Sequence, residues 1–246
     1  MTTRGRVLDE LGLGPEWVRR DRAVASSAGV PSPPVAGDGL VPGTAIADPD
    51  ERTESILRMD WAQLKASVAG CTACDLSHTR NRTVFGVGDE AANWLFVGEG
   101  PGADEDARGE PFVGQAGRLL DSMLAAIGLA RGADVYIANI VKCRPPGNRN
   151  PEPGEATCCR PYLQRQVELL RPRLIVALGK IAVVNLLGRD STISALRGQV
   201  HSYRDVPLIV TYHPAYLLRN LPDKAKAWED LCFAVETMRR LTAAGA

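Results

Sequence analysis

The sequence predicts an α/β protein in which a mainly parallel four-stranded sheet lies between two layers of helices. Two observations support this fold class. Short apolar runs typical of buried strands alternate with longer segments of helical periodicity. The chain of 246 residues is also long enough to bury a sizeable core. Strands separated by helices form βαβ units, whose crossover helices cover both faces of a parallel sheet. We therefore expect a three-layer α/β/α domain.

The bounds of the predicted elements follow from these patterns. Strands are predicted over residues 95–97, 135–138, 174–178 and 208–211. Helices are predicted over residues 53–69, 117–127, 155–170, 180–187 and 223–241. Gly70 stands just after the first of these helices and Pro153 just before the third, as is typical of helix ends.

The first fifty residues are predicted to be a flexible N-terminal extension that is largely disordered. A short amphipathic helix is predicted within residues 6–24, whereas residues 25–50 are rich in Ala, Gly, Pro and Ser. Such a composition is typical of linkers. We interpret the extension either as a tail without chemistry or as a partner-binding peptide, and residues 51–246 as the functional domain.

The overall composition argues against two classes of protein. No segment approaches the roughly 18 apolar residues that indicate a membrane span, and the N-terminus lacks the apolar core of a signal peptide. The formal net charge is zero, so any contact with nucleic acid must be local. We therefore expect a cytoplasmic protein.

A glycine-rich turn after the first predicted strand is the most distinctive stretch of the chain. It reads Gly98-Glu99-Gly100-Pro101-Gly102 and matches neither a dinucleotide-binding fingerprint nor a nucleotide triphosphate loop. Glycines allow the backbone to approach a ligand closely. The carboxylate of Glu99 would repel a phosphate, so it favours chemistry on a developing positive charge or on water.

Polar residues follow three of the four predicted strands. Glu99 follows the first strand, Asn139 the second and His213 the fourth. In open parallel sheets, ligands bind beyond the carboxyl ends of the strands, which meet at one edge. Each residue alone has a structural explanation, but their shared position predicts one site.

Four cysteines are candidate metal ligands. Cys71 and Cys74 form a Cys-x-x-Cys pair, while Cys143 and Cys159 each begin a Cys-Arg-Pro tripeptide. Zinc sites usually contain a second close pair, whereas iron–sulfur clusters accept dispersed thiolates near proline. The pattern favours a four-iron cluster, and it leaves zinc or buried free thiols as alternatives.

The two remaining cysteines have weaker patterns. Cys158 competes with Cys159 as the fourth ligand, although the Cys-Arg-Pro repeat favours Cys159. Cys232 lies between Leu231 and Phe233 in a predicted helix, so we expect it to pack in the core.

Taken together, the ordered motifs resemble those of the family 4 uracil-DNA glycosylases, the iron–sulfur branch of that superfamily. The resemblance spans residues 71–241. It rests on the motifs CTAC, GEGPGADED, PFVGQAG, NIVKCRPPGNRNP, CCRP, RLIVALGK and YHPAYLLRN. It implies a uracil-DNA glycosylase-like fold and hydrolysis of the N-glycosidic bond of deoxyuridine in DNA, which releases uracil for base-excision repair. It also implies a structural 4Fe-4S cluster on Cys71, Cys74, Cys143 and Cys159.

The resemblance assigns roles to Phe112 and to the three polar residues at the predicted edge. Phe112 is expected to stack on a flipped uracil, and Asn139 to read the edge of the base. Glu99 is expected to stabilise the sugar cation or to orient the water. His213 is expected to hydrogen-bond uracil O2 as negative charge develops there.

The resemblance implies further contacts around these four residues. Gly98 and Gly100 are expected to permit close backbone approach, and Glu105 to form a wall against the methyl group of thymine. Tyr216 or Leu217 is expected to enter the base stack as an apolar wedge.

A sister group that becomes trapped on uracil-DNA carries Gln at the position of Gly100 and an inserted basic loop with a histidine. This chain has neither feature, so turnover is expected. The alternative is a non-catalytic or trapping DNA-binding member of the same superfamily. We expect a monomer associated with the bacterial nucleoid, with residues 1–50 recruiting a sliding clamp or another repair partner.

Overall fold

The computed structural model of the protein describes residues 49–244. The strands are β1 (Val87–Gly88), β2 (Trp94–Gly98), β3 (Val135–Asn139), β4 (Leu174–Leu178), β5 (His201–Tyr203) and β6 (Val206–Thr211). The helices before β4 are α1 (Pro49–Arg58), α2 (Trp61–Ala69), α3 (Leu76–Thr79), α4 (Ala103–Arg108), α5 (Gln115–Ala126) and α6 (Pro153–Leu170). The later helices are α7 (Lys180–Leu187), α8 (Ile193–Leu196), α9 (Pro214–Leu217) and α10 (Asp223–Ala244), and a 3₁₀ turn spans Pro146–Asn148.

The strands form one six-stranded sheet in the order β1-β3-β2-β4-β6-β5. The four inner strands are parallel, as predicted, while β1 and β5 pair antiparallel at the two edges. The predicted number of four strands was therefore too low. The two edge strands have only two and three residues, so they are too short to show a strand pattern in the sequence.

Helices cover both faces of the sheet and give the predicted three layers. Alternating strand residues point to opposite faces. Leu95 and Val97 face a core formed with α1, α2, α6, α7 and α8, whereas Trp94 and Phe96 face a core formed with α5 and α10. Every residue of β2, β3 and β4 is buried, which is why these strands have continuous apolar sequences.

Two local predictions about helices were wrong. The helix predicted over 53–69 is interrupted, because the Asp60 carboxylate accepts a hydrogen bond from Gln63 N and starts a new helix there. No helix was predicted over the acidic segment after Gly102, but this segment forms helix α4, in which Glu105 accepts a hydrogen bond from the Gly102 N–H.

The N-terminal extension lies almost entirely outside the described residues. The predictions for a helix within 6–24 and for a disordered or partner-binding segment therefore stay predictions. Among residues 49–244, no helix is long and apolar enough to cross a membrane.

Candidate active site

One cavity of about 440 Å³ opens beyond the carboxyl ends of the inner strands. It brings together Glu99 after β2, Asn139 at the end of β3, His213 after β6, and Phe112 from the loop before α5. The prediction that the polar residues following the strands share one edge is thus confirmed. Other lining residues include Gly100, Glu105, Pro145, Arg149, Tyr216 and Arg219.

The contact between Gly98 and two neighbouring side chains shapes the floor of the cavity. A Cβ atom on Gly98 would lie 2.5 Å from Phe112 Cζ and 2.6 Å from Asn139 Oδ1, which is closer than real Cβ atoms approach. The missing side chain at Gly98 therefore leaves the space that the ring and the amide occupy. Gly100 has a similar role, because its Cβ would lie 2.7 Å from Val141 Cγ2.

Asn139 presents an unused hydrogen-bond acceptor. It is the last residue of β3, opposite Gly98 in the parallel register, and its side chain is only 2% exposed. Its Oδ1 atom is buried without a hydrogen-bond partner among the described residues. Buried polar groups are nearly always paired in native proteins, so this atom indicates a ligand with an N–H or O–H donor.

His213 is held as a neutral hydrogen-bond donor. Its Nδ1 accepts from Ala215 N at 3.1 Å, which leaves the proton of the neutral imidazole on Nε2. The pKa of His213 is lowered to about 4, mainly because burial disfavours the imidazolium. The ring lies 5.5 Å from the Phe112 ring, centroid to centroid. A Cβ atom on Gly179 would lie 2.7 Å from His213 Cβ, so that glycine is needed for this position.

Glu99 is a half-buried carboxylate facing the cavity. Burial raises the pKa of Glu99 above its ordinary value, since no cation lies close enough to offset the desolvation. Its backbone carbonyl accepts from Val141 N at 3.2 Å, which fixes the turn after β2. The carboxylate has no hydrogen-bond or ion-pair partner among residues 49–244 and is available to a ligand or a water.

Glu105 lines the cavity, but its oxygen atoms are bound to the backbone. Oε1 accepts from Val113 N at 2.9 Å and Gly114 N at 3.0 Å, and Oε2 accepts from Gly102 N at 3.0 Å. These bonds join helix α4 to the loop that carries Phe112. The role of Glu105 as a wall against the methyl group of thymine stays a prediction. The structure adds a second role, because Glu105 also holds the loop that carries Phe112.

The two residues predicted as a DNA wedge differ in exposure. Leu217 is only 1% exposed and packs with Met123 and Leu231, so its assignment as a wedge was wrong for this conformation. Tyr216 is 36% exposed, stacks on Tyr212 with ring centroids 5.4 Å apart, and lines the cavity. The surface at the cavity rim is therefore aromatic rather than aliphatic.

A second, smaller cavity gathers the predicted metal ligands. Five cysteines line it: Cys71, Cys74, Cys143, Cys158 and Cys159. It also contains Ser77, whose buried hydroxyl has no partner among the described residues. Within residues 49–244, no three Cys, His, Asp or Glu side chains converge tightly enough to hold a single metal ion. Thiols of this kind are ligands that both zinc ions and iron–sulfur clusters accept.

Hydrogen-bond donors surround these thiols. Arg80 Nη1 donates to Cys143 Sγ at 3.0 Å, and Lys142 N donates to Cys159 Sγ at 3.3 Å. Burial raises the pKa of the Cys159 thiol to about 12, so binding of a metal there would release a proton at neutral pH. Donors to sulfur are typical of iron–sulfur sites, where they tune the cluster.

The prediction that Cys232 packs in the core was wrong. It is exposed on α10, because the helix turns Leu231 and Ala234 inward. Cys232 therefore takes no part in the thiol cavity.

Sequence reasoning missed three residues that shape these sites: Ser77, Arg131 and Gly179. Gly179 directly follows the buried strand β4 and has a φ of 86°, so its position after a strand was an available signal. Arg131, in the turn between α5 and β3, donates from Nη2 to Phe112 O at 2.7 Å. No pattern in the sequence connects Arg131 to Phe112, nineteen residues earlier.

The fold and the cavity define an α/β protein with a site, lined by polar and aromatic side chains, beyond the carboxyl ends of its inner strands. A family model described as the uracil DNA glycosylase superfamily matches residues 85–232. The chain belongs to the uracil DNA glycosylase superfamily, which confirms the resemblance carried by its motifs.

Three curated relatives share the name Type-4 uracil-DNA glycosylase. The chain is 50% identical over 159 residues to the protein of Archaeoglobus fulgidus, covering 61% of this chain and 79% of that relative. It is 46% identical to the protein of Thermotoga maritima, covering 62% and 80% respectively. It is 41% identical to the protein of Pyrobaculum aerophilum, covering 70% and 92% respectively.

The space beside Gly98 yields a first prediction. Gly98→Ala should lower kcat/KM on the substrate by about 100-fold, because displacing catalytic groups by an ångström has effects of that order. Steady-state kinetics on a uracil-containing oligonucleotide measures this change. Gly154→Ala is the matched control, since a Cβ there meets no atom within 4 Å. Equal activity of the two variants would contradict the proposed geometry of the floor.

The raised pKa of Glu99 yields a second prediction. A carboxyl whose pKa is raised by folding contributes stability below its unfolded pKa of about 4.3 and loses it as the pH rises through the folded value. Glu99→Gln should therefore raise the thermal midpoint relative to wild type at pH 7, and the difference should shrink towards pH 4. Thermal unfolding across this range provides the measurement.

The pH dependence of activity should be opposite to that of the stability contributed by Glu99. Activity should fall as acid protonates the carboxylate, while His213 stays neutral down to about pH 4. Glu110→Gln, which removes an exposed carboxylate in the same region, is the control. A Glu99→Gln variant less stable than wild type at pH 7 would refute the interpretation.

Proposed function

We propose that this protein hydrolyses the N-glycosidic bond of deoxyuridine in DNA, releasing uracil and leaving an abasic site for base-excision repair. The observation that carries the proposal is the buried, unpartnered Asn139 Oδ1 in the cavity that Phe112 and His213 also line. The three relatives named Type-4 uracil-DNA glycosylase support the same reaction.

Recognition of the base depends on Phe112 and Asn139. Enzymes that act on a base within DNA flip it out of the stack into a pocket. The flipped uracil stacks on Phe112, while Asn139 Oδ1 accepts from N3–H and the Asn139 amide donates to O4. Cytosine presents the opposite pattern of donor and acceptor at these two atoms. It would leave buried polar groups unpaired, which is how a site rejects a near-isostere strongly.

Bond cleavage depends on His213 and Glu99. As the bond from the sugar to N1 breaks, negative charge moves onto the uracil ring and positive charge onto the sugar. His213 Nε2–H donates a hydrogen bond to uracil O2. Because negative charge develops on the departing uracil, this hydrogen bond from a neutral imidazole stabilises it. The negatively charged Glu99 carboxylate stabilises the positive charge that develops on the sugar. It also accepts a hydrogen bond from the water that attacks the sugar carbon.

The rim of the cavity is proposed to contact DNA. Tyr216 is the exposed aromatic residue at this rim and takes the role of the wedge that fills the space left by the flipped base. Arg219 lies on the same rim, is exposed, and has no ion-pair partner among the described residues. Its guanidinium is suited to a DNA phosphate.

The thiol cavity is proposed to hold a structural 4Fe-4S cluster on Cys71, Cys74, Cys143 and Cys159. Support comes from the shared cavity, the donors to sulfur and the type of the relatives. Cys159 is preferred to Cys158 because it is the more deeply buried and accepts from Lys142 N. When bound, the cluster joins separate chain segments and takes no part in hydrolysis, which needs no redox change.

The same cavity is linked to the active site through Lys142. Its buried ammonium donates to the Asn139 carbonyl at 2.9 Å and to Gln166 Oε1 at 2.6 Å. Cys143, a proposed ligand of the cluster, directly follows Lys142 in the chain. The short segment 139–143 therefore connects the cluster site to Asn139, which is proposed to bind the base. The enzyme is proposed to act as a monomer on nucleoid DNA, and residues 1–50 to recruit a clamp or another repair partner.

The reaction predicts a third result. The wild-type protein should produce alkali-labile strand breaks in oligonucleotides containing U:G, U:A or single-stranded uracil. Glu99→Ala and Asn139→Ala should lower the single-turnover rate by about 10²- to 10⁴-fold, the usual range for such groups. Glu110→Ala is the matched control. Wild-type rates in both site variants would contradict the assigned roles, and tight binding without free uracil would support a non-catalytic or trapping protein instead.

The cluster predicts a fourth result. The purified protein should be brown, with broad visible absorbance, and Cys159→Ser should lose this colour while Cys158→Ser retains it. Iron and sulfide analysis of the same samples checks the stoichiometry. A colourless zinc protein would contradict the cluster, and loss of colour in Cys158→Ser alone would reverse the choice of ligand.

A further inference from the structure

The backbone of Phe112 has a conformation that its own residue type disfavours. Its φ of 55° lies in the left-handed region, which bulky side chains rarely enter. Such a conformation persists only where surrounding groups fix it. The ring is nevertheless only 6% exposed and lies against Gly98 and His213, at the position proposed for the base stack.

Two oppositely charged side chains hold the peptide groups on either side of this residue. Arg131 donates from Nη1 to Pro111 O at 2.8 Å and from Nη2 to Phe112 O at 2.7 Å. Glu105 Oε1 accepts from Val113 N at 2.9 Å and from Gly114 N on the other side. The guanidinium therefore binds the carbonyl oxygens of residues 111 and 112, and the carboxylate binds the N–H groups of residues 113 and 114.

Neighbouring residues leave space for this arrangement and orient it. A Cβ atom on Gly117 would lie 1.8 Å from Phe112 O, so only glycine permits that carbonyl to turn towards Arg131. Asp121 accepts from Arg131 Nε at 3.1 Å and from Nη2 at 2.9 Å. Arg131 is itself half-buried, which strengthens its bonds to the two carbonyls relative to exposed ones.

We propose that Arg131 and Glu105 form a clamp that sets the ring of Phe112 for stacking on the flipped base, so that Arg131 is a positioning residue of the reaction. This inference rests on the proposed function. Arg131 acts through Phe112 and touches neither the base nor the sugar. Its loss should therefore weaken binding of the base, with little direct effect on bond cleavage once the base is bound.

The test uses the full-length protein with its cluster. Arg131→Met removes both carbonyl hydrogen bonds but keeps much of the aliphatic volume, and Arg131→Lys keeps the charge without the two-pronged donor. Arg240→Met is the matched control, because it makes the same substitution at an exposed arginine of α10 whose ion-pair partner, Glu236, lies on the same helix. Single-turnover kinetics give the maximal rate and the half-saturating concentration separately, and inhibition by free uracil reports on the base site alone.

Arg131→Met should raise the inhibition constant of uracil and the half-saturating DNA concentration about tenfold, within the range that one base stack contributes. The maximal rate should change less than about threefold. Arg131→Lys should fall between Arg131→Met and wild type, and Arg240→Met should stay within about twofold of wild type. A loss in Arg240→Met equal to that in Arg131→Met, or unchanged uracil inhibition in both Arg131 variants, would overturn the clamp.

A double-mutant cycle separates positioning from general destabilisation. In a Phe112→Ala background no ring remains to be positioned, so adding Arg131→Met should change uracil inhibition by less than about twofold. The same tenfold change in both backgrounds would show that Arg131 acts independently of Phe112 and would contradict the inference. If Arg131→Met does not fold, the cycle is run with Arg131→Lys. Absence of uracil release by wild type would instead refute the proposed function, so the two failures are distinguishable.

Discussion

The parallel pairing of β2 with β3, which places Gly98 opposite Asn139, is the constraint on which the site depends. Because position 98 has no side chain, the Phe112 ring and the Asn139 amide both reach the end of β2. The glycine after β4 gives similar room to His213. The sheet therefore supplies a common edge, and the missing side chains at that edge supply the space for a planar ligand.

Burial and backbone strain at this edge prepare the groups that line the cavity. Asn139 Oδ1 is buried without a partner, Glu99 is a carboxylate with no cation beside it, and His213 is desolvated enough to stay neutral. The first two conditions lower stability at neutral pH, and all three make the group available to a different part of the proposed substrate. The strained backbone at Phe112 belongs to the same set, since Arg131 and Glu105 offset it by binding the adjacent peptide groups.

The sequence was informative wherever a pattern repeats along the chain or occurs at a strand end. Continuous apolar runs predicted the parallel inner strands, and the residues following them predicted that Glu99, Asn139 and His213 would meet. Edge strands of two or three residues contain too little pattern to be recognised. The burial of Leu217 was not predicted, because part of the apolar pocket that covers it is Met123 of α5, which is distant in sequence.

The proposed enzyme should remove uracil from DNA and leave the other pyrimidines in place. This selectivity can be measured by mass spectrometry of the free bases released from three duplexes that are identical except for U, T or C at one position opposite G. We expect free uracil from the first duplex, with at least about 10⁴-fold less base released from the cytosine duplex, the scale of discrimination by unpaired polar groups. Comparable release of cytosine, or binding of the uracil duplex without release of any base, would contradict it.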